Sequence, residues 1–328
     1  MAPSRLGLSS GFDSSSLGDL TGQRVVVTGA NSGIGYEATK ALVAHGATVV
    51  MGCRDTAKGE AAARTITSDT GGSTPGTTVV RRLDLADFSS VQEFATASAG
   101  EDAPVSALVC NAAVMACPFS LSEDGIELQM ATNHFGHALL VSLMLATLGD
   151  GARVVLVSSI AARGGRLGAT TTAEDLVSPH PYSPQRVYSN TKQANLLFAM
   201  ELQRRLEAAG SSILSIAVHP GVSATELFPR QMRDSGRSWV VPLARPVMRL
   251  VLQPAAAGAW PILRALSDPS LNGGEFLGPR HLGQSRGAPE RLELYRQGSD
   301  LGATKRLWEL TEEVLGRAIV PGERAGGA

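Results

Sequence analysis

Short apolar runs alternate with helix-forming segments along most of the chain, and this alternation limits the possible folds more than any other feature. Such runs are typical of strands covered on both faces. Strands are predicted at 24–28, 48–51, 78–83, 105–110, 153–157, 212–218 and 274–277. Helices are predicted at 35–45, 57–67, 89–98, 187–209, 254–266 and 304–316, and within 123–148. The alternation predicts right-handed crossovers and one open, doubly wound parallel α/β sheet of about seven strands, with helices on both faces.

The composition excludes several classes of protein. Lys and Arg number 29 against 30 Asp and Glu, and 43% of the 328 residues are apolar. A nucleic-acid binder needs a basic face, and an acidic disordered chain needs excess negative charge, so neither class fits. Three cysteines form neither a disulfide framework nor a zinc-ligand pattern and suit a reducing compartment. His134 and His137 lack a third ligand, so no metal site is predicted.

One domain is expected between two polar tails. Residues 1–20 hold six serines and two acids without the apolar segment of a signal peptide. The longest apolar stretch, 138–148, is shorter than the roughly 20 residues of a membrane span. We therefore expect flexible tails at 1–20 and 321–328, a single domain over 21–320, no membrane span and a cytoplasmic location.

A glycine-rich turn follows the first predicted strand and opens a helix. Gly29 permits a tight turn, Gly33 lets the backbone approach a pyrophosphate, and Gly35 lets the helix pack on the strand. Free N–H groups and the positive helix end favour a phosphate at such a turn. A dinucleotide site is therefore predicted. Its expected contacts here are Gly29, Asn31, Ser32, Gly33, Ile34 and Gly35.

A tyrosine and a lysine lie four residues apart at the start of the helix after the fifth strand. Tyr188 and Lys192 therefore share one helix face. A phenol has an ordinary pKa near 10, and a neighbouring ammonium lowers that pKa. The pair is predicted to exchange a proton with a carbonyl or alcohol oxygen. Ser158 or Ser159, at the end of the fifth strand, would donate a hydrogen bond to the same oxygen.

These motifs resemble the short-chain dehydrogenase/reductase family over roughly residues 20–230. The family signature Thr-Gly-x3-Gly-x-Gly matches the segment from Thr28 to Gly35, and Tyr-x3-Lys matches Tyr188 and Lys192. The sequence is most similar to the branch with the retinol dehydrogenases and protochlorophyllide reductases. The resemblance implies a Rossmann-type NAD(P)-binding domain and direct hydride transfer.

The resemblance also implies roles for single residues. The family serine is usually the second of a pair, which selects Ser159, and Lys192 would also hold the nicotinamide ribose hydroxyls. Asn133 would kink the long helix and hold a proton-relay water near the lysine. Further implied cofactor contacts are Asp84, Leu85, Asn111, Ala112, Ala113, Pro220, Gly221, Val222 and Thr225. Ala113 stands where the family has glycine.

Two charged residues after the second strand bear on the choice of cofactor. Arg54 can form a charge-assisted fork with a 2′-phosphate. Asp55 would instead repel that phosphate and accept from a ribose 2′-hydroxyl, as in NAD enzymes. The Cys-Arg-Asp sequence followed by Lys58-Gly59 resembles NADP-preferring retinol dehydrogenases. We expect NADP(H), with NAD(H) as the alternative.

The sequence thus predicts an NADP-dependent oxidoreductase that interconverts a carbonyl and a primary or secondary alcohol on a mainly apolar small molecule. Substrate loops are predicted at 161–187, which contains Tyr182, and at 226–254. Two alternatives stay open: a reductase of an activated C=C bond, and a low-turnover dinucleotide-binding regulator or scaffold. Helices at 123–148 and 187–209 are candidate interfaces of a homodimer or homotetramer.

Overall fold

One sheet organises the part of the chain that the computed structural model describes, residues 11–69, 76–99, 103–222, 253–295 and 299–320. Its strands are β1 (Arg24–Thr28), β2 (Thr48–Cys53), β3 (Thr77–Arg82), β4 (Val105–Cys110), β5 (Leu148–Val157), β6 (Leu214–Val218), β7 (Phe276–His281) and β8 (Arg286–Leu292). The order is β3-β2-β1-β4-β5-β6-β7-β8. Strands β1 to β7 pair in parallel, and β8 is antiparallel to β7. The predicted doubly wound α/β fold is confirmed, with β8 as an additional edge strand.

Helices cover both faces of this sheet. They are α1 (Gly33–Ala44), α2 (Thr56–Asp69), α3 (Phe88–Ala99), α4 (Leu128–Met130), α5 (Gly136–Met144), α6 (Ala173–Val177), α7 (Pro184–Ala208), α8 (Ala255–Ser267) and α9 (Leu301–Leu315). Apolar residues of α1, α2 and α8 form one core cluster with the sheet, and those of α3, α5, α7 and α9 form the other. No helix among the described residues combines the length and apolar composition that a bilayer crossing requires.

The strand order reverses between β1 and β4, and this reversal determines where a ligand can bind. All five residues of β1 are buried because helices cover both of its faces. Connections from neighbouring strands leave in opposite directions at such a point and open a crevice at the carboxyl ends. The glycine turn follows β1 there, and Ser159 and Tyr188 follow β5, the second strand beyond the reversal.

The second half of the predicted N-terminal tail is part of the fold. Asp13 caps a short 3₁₀-helix at Ser14–Ser16, and its side chain accepts a 2.8 Å hydrogen bond from the Ser15 N–H. Phe12 and Leu17, on either side, are buried in the cluster that contains β1 and α1. The prediction of a flexible tail is therefore wrong for residues 11–20, because two isolated apolar side chains anchor this segment. Residues 1–10 and 321–328 lie outside the described ranges.

The long helix predicted within 123–148 is interrupted. A π-helical segment, Ala131–Phe135, separates α4 from α5. Helix α9 packs against this region and against α7: the Trp308 ring stacks on Phe198 at 5.0 Å, and His134 contacts Thr311 at 3.0 Å. The two helices predicted as a subunit interface are therefore partly covered by α9 of the same chain.

Candidate active site

Tyr188 lies near the start of α7, with its side chain directed into the protein. Pro184 occupies the first turn of that helix, where a missing N–H costs no helical hydrogen bond. Only 7% of Tyr188 is exposed. Burial raises the pKa of the Tyr188 phenol to about 12, and a hydrogen bond with the Ser159 side chain acts in the opposite direction. The phenol is therefore protonated at neutral pH and is in contact with a hydroxyl group.

The two serines at the end of β5 have different surroundings. Ser158 is buried, and its hydroxyl donates a 2.6 Å hydrogen bond to the Lys192 carbonyl of α7. Ser159 is half-buried, and its oxygen accepts from the Ala161 N–H at 3.1 Å. That bond leaves the Ser159 proton free for donation, whereas the Ser158 proton is committed to the backbone. The contacts favour Ser159 as the donor to a substrate oxygen.

Lys192 lies one helical turn beyond Tyr188 and is 2% exposed. Its Nζ donates a 3.0 Å hydrogen bond to the Val157 carbonyl and lies 5.9 Å from the Tyr188 ring centroid. Burial lowers the pKa of Lys192 to about 8. The sequence predicted a lowered phenol pKa beside this ammonium. The pKa of Tyr188 is instead raised, because desolvation is the larger influence on the phenol.

Asn133 is fully buried in the π-helical segment. Its side-chain Oδ1 accepts from the Val114 N–H, and its Nδ2 donates to the Val114 carbonyl, both at 2.8 Å. Nδ2 also lies 3.1 Å from Thr191 Oγ1, and that hydroxyl donates to the Tyr188 carbonyl at 2.8 Å. Asn133 thus connects the loop after β4 to the helix that carries Tyr188 and Lys192. The disruption of regular helix expected around this residue is present as a π-helix.

The turn after β1 has the backbone shape that a dinucleotide phosphate needs. Gly29 and Gly33 have φ of 66° and 57°, where glycine is favoured. A Cβ on Gly29 would lie 3.0 Å from Ala112, and one on Gly35 would overlap the Gly29 carbonyl oxygen. The Ser32 side chain makes no capping hydrogen bond at the start of α1, which leaves the first N–H groups of that helix for a ligand. The predicted contacts Asn31, Ser32 and Ile34 are in this turn.

Arg54 and Asp55, the two charged residues after β2 that bear on the choice of cofactor, differ in their contacts. Asp55 accepts from the Lys58 N–H at 3.1 Å and pairs with Lys58 Nζ at 3.0 Å. The hydrogen bond from the Lys58 backbone is the main reason that the pKa of Asp55 is lowered. Arg54 is exposed and, among the described residues, makes no hydrogen bond or ion pair. Asp55 therefore caps α2, and the Arg54 guanidinium is the group left for a phosphate.

Asp84 and Leu85 follow β3, as predicted. Asp84 accepts from the Ala86 N–H at 3.1 Å, whereas Asp87 provides the cap of α3 by accepting from the Ser89 N–H at 3.0 Å. Leu85 is buried, and a Cβ on Gly136 would overlap its carbonyl oxygen, so α5 begins directly against this segment.

The loops after β4 and β6 hold the remaining predicted cofactor contacts. Asn111 Nδ2 donates to the Thr28 carbonyl at 2.8 Å, and Ala112 and Ala113 are half-buried behind it. Pro220 and Gly221 follow β6, and the Val222 N–H donates to the Ser285 carbonyl at 2.8 Å. That N–H is therefore committed to a bond within the chain. Thr225 lies outside the described residues.

The first predicted substrate loop is attached to the protein by Tyr182. Its hydroxyl lies 2.8 Å from the Cys117 carbonyl and 3.0 Å from a Glu127 carboxylate oxygen. Its ring packs edge-on against Phe119, with centroids 5.2 Å apart. Tyr182 thus fastens the loop before α7, and its hydroxyl is occupied. In the second predicted loop, residues 226–252 lie outside the described ranges.

Two side chains that hold this site together were not identified from the sequence. Thr28 Oγ1 accepts from the N–H groups of Asn111 and Ala112, both at 2.9 Å, and so joins β1 to β4. The same oxygen lies 2.9 Å from His137 Nε2. The available signals were the threonine that begins the glycine motif and the spacing of four between Asn133 and His137.

Comparison with known proteins adds independent findings. Residues 23–171 match the family model described as short chain dehydrogenase. Retinol dehydrogenase 14 of Mus musculus is 35% identical over 313 residues, which cover 91% of this chain and 87% of the mouse protein. An uncharacterized protein of Mycobacterium Paratuberculosis with a crystal structure is 39% identical; the match has a TM-score of 0.76 and covers 94% of this chain and 99% of that one.

A more distant solved structure shows the likeness in fold alone. It is a short chain dehydrogenase from Burkholderia cenocepacia J2315 in complex with NADP, 22% identical, with a TM-score of 0.59. The match covers 78% of this chain and 96% of that one. Sequence identity across almost the whole length carries the assignment, and the sheet order agrees with it. The chain belongs to the short-chain dehydrogenase/reductase family of oxidoreductases, in the branch of the retinol dehydrogenases.

Proposed function

We propose that this protein is an NADP(H)-dependent oxidoreductase that interconverts a carbonyl group and a primary or secondary alcohol on a mainly apolar small molecule. The placement of Tyr188 beside Ser159, with both residues after β5, carries this proposal. It joins a protonated phenol to a hydroxyl at the carboxyl edge of the sheet, where open α/β sheets bind ligands. Lys192 is fixed beside the pair by the Val157 carbonyl.

The residues around the strand reversal fit a nicotinamide dinucleotide. The glycine turn would hold the pyrophosphate, Arg54 a 2′-phosphate, and Asp84 with Leu85 the adenine. Asn111, Ala112 and Ala113 would line the adenosine ribose, and Lys192 would hold the nicotinamide ribose. Such a dinucleotide, when bound, supplies or accepts the hydride. The Arg54 guanidinium, which has no partner among the described residues, supports NADP over NAD.

The protein side chains would handle the proton and the developing negative charge. In reduction, the Tyr188 hydroxyl gives its proton to the carbonyl oxygen as that oxygen gains charge. Ser159 donates a hydrogen bond to the same oxygen and stabilises it. Lys192 stabilises the phenolate left on Tyr188, and Asn133 holds the path by which a proton returns to it. In oxidation the same groups act in reverse.

A lipophilic alcohol, aldehyde or ketone is the substrate class that we propose. The support is the 35% identity to a protein named retinol dehydrogenase over 91% of this chain. The half-buried segment 112–117 beside Asn133 supports an apolar cleft, because its side chains include alanine, valine and methionine.

A carbonyl panel tests the proposal. Purified protein is mixed with NADPH or NADH and an aliphatic aldehyde, an aromatic ketone, all-trans-retinal or an α,β-unsaturated ketone. Cofactor absorbance is followed, and the product is identified by mass spectrometry and NMR. We expect alcohol formation with at least one apolar carbonyl and a preference for NADPH. Reduction of a C=C bond alone, or tight NADPH binding without turnover of any compound, would contradict the proposal.

A further inference from the structure

His137 bridges two parts of the site directly. It is 1% exposed in α5, one turn after Asn133. Nδ1 lies 3.0 Å from the Asn133 backbone carbonyl, and Nε2 lies 2.9 Å from Thr28 Oγ1. One ring thus contacts the helix of the proposed relay residue at one end and the strand that begins the dinucleotide turn at the other.

The partners of the ring determine the positions of its protons. The Asn133 carbonyl can only accept, so Nδ1 must carry a hydrogen. Burial lowers the pKa of His137 to about 3, and the charge of Lys192 on α7 acts in the same direction. The ring is therefore neutral at physiological pH, and Nε2 has no proton. The Thr28 hydroxyl donates to Nε2 at 2.9 Å in preference to its other acceptor, the Val109 carbonyl at 3.3 Å.

Thr28 extends this series of hydrogen bonds to the loop after β4. With its proton on His137, the Thr28 oxygen accepts from the N–H groups of Asn111 and Ala112. Ala112 is the residue that a Cβ on Gly29 would meet at 3.0 Å. The position of the glycine turn is thus linked through Thr28 and His137 to the backbone of Asn133.

We propose that His137 is a positioning residue that fixes the backbone of Asn133 relative to the dinucleotide turn. It does so by donating to the Asn133 carbonyl and accepting from Thr28. This inference rests on the proposed function, because it assigns Asn133 to the proton path. The ring has no direct part in hydride or proton transfer. It orients a carbonyl of the π-helical segment and a hydroxyl at the end of β1.

His134 provides a matched control on the same stretch of chain. It is also 1% exposed, and burial lowers its pKa to about 4. Its Nε2 lies 3.0 Å from Thr311 Oγ1 of α9, and its ring also interacts with the Asn195 side chain of α7, so its contacts lie away from β1 and the glycine turn. His137→Phe removes both polar contacts and keeps a ring. His137→Gln keeps one donor and one acceptor, and His134→Phe applies the same chemical change at the control position.

The test uses the carbonyl compound with the highest turnover in the panel, with NADPH. We expect His137→Phe to lower kcat about tenfold, below the loss typical of a proton donor, and to raise the solvent deuterium isotope effect on kcat. NADPH affinity should stay within about threefold, since the turn keeps its N–H groups. His137→Gln should recover most of kcat, and His134→Phe should stay within about twofold of the unaltered enzyme.

Three outcomes would overturn the inference. They are equal loss of kcat in His137→Phe and His134→Phe, failure of His137→Gln to improve on His137→Phe, and a loss of NADPH binding large enough to account for the fall in kcat. Thermal denaturation of all three variants compares their folding, because a structural role alone would lower the midpoint in both phenylalanine variants without changing the isotope effect.

Imidazole ¹⁵N chemical shifts test the same inference without turnover. We expect His137 to be neutral with the proton on Nδ1 at pH 7. A protonated Nε2 would overturn the inference whatever the activity, because the Asn133 carbonyl would then face a bare nitrogen. If the unaltered protein turns over no carbonyl but shows the Nδ1 proton, the proposed function fails and the hydrogen-bonded bridge stands. The two failures are therefore distinguishable.

Discussion

Lys192 Nζ donates a 3.0 Å hydrogen bond to the carbonyl of Val157, the last residue of β5. This bond fixes the amine of α7 to the carboxyl end of a central strand. The amine is buried, and no carboxylate among the described residues pairs with it. Desolvation then disfavours the charged form. The position of the amine and its reduced pKa thus have one structural origin.

The first prediction concerns stability against pH. The pKa of Lys192 is depressed from 10.5 to about 8 in the folded state, so between these values the unfolded chain binds a proton that the folded chain does not. Stability therefore rises with pH across this window. Compared with Lys192→Met, the unaltered protein should gain about 2 kcal/mol more in its free energy of unfolding between pH 8 and 10.

Urea denaturation at pH 8, 9 and 10 measures this difference. The raised pKa of Tyr188, about 12, lowers stability mainly above pH 10 and so does not mask the effect. If the free energy of unfolding changed equally with pH in the unaltered protein and in Lys192→Met, Lys192 would not be desolvated in the folded state.

The two serines at the end of β5 should separate function from stability. Ser159→Ala should lower kcat by about 10², because it removes a donor to the developing oxyanion. Ser158→Ala should keep most of its turnover and lose about 1 kcal/mol of stability, because it removes a buried bond to the Lys192 carbonyl. Steady-state kinetics and thermal denaturation of both variants provide the comparison, and the reverse pattern would assign the donor to Ser158.

The glycine turn should be intolerant of a methyl group at one position. In Gly35→Ala the new Cβ meets the Gly29 carbonyl and lies 2.6 Å from Asn111 Nδ2. We expect a loss of about 1–3 kcal/mol in stability and weaker NADPH binding. Gly18→Ala is the control, because its Cβ meets nothing within 4 Å. Calorimetric NADPH titration that finds Gly35→Ala equal to this control would refute the dinucleotide turn.

Arg54 should determine the preference for the 2′-phosphate. Arg54→Gln removes the guanidinium, so we expect kcat/KM for NADPH to fall at least tenfold, about 1.4 kcal/mol, with little change for NADH. Arg64→Gln, at an exposed position of α2, controls for loss of surface charge. An unchanged NADPH to NADH ratio in Arg54→Gln would place the source of cofactor choice elsewhere.

The sequence identified the parts of this molecule that depend on local pattern. Continuous apolar runs predicted β1 and β4 at their observed bounds, because helices bury both faces of those strands. The glycine spacing and the pair Tyr188 and Lys192 are local signals too. Their positions after β1 and β5 follow from the parallel sheet.

Tertiary contacts decided what the sequence reading missed. Phe12 and Leu17 are isolated apolar residues in a polar segment, so no periodicity marks them as core. Strand β8 contains Pro289 and charged residues, and pairing with β7 defines it. His137 was considered for metal binding, whereas its partner Thr28 lies 109 positions away in sequence. The raised pKa of Tyr188 depends on the depth of its burial, which spacing cannot indicate.

Tyr188→Phe is the most direct test of the central claim, that a phenol at the carboxyl edge of the sheet exchanges the proton of a carbonyl reduction. The variant keeps the ring and removes one oxygen. We expect kcat to fall by at least about 10² while NADPH binds with unchanged affinity. Turnover within a few-fold of the unaltered enzyme at full NADPH occupancy would contradict the account.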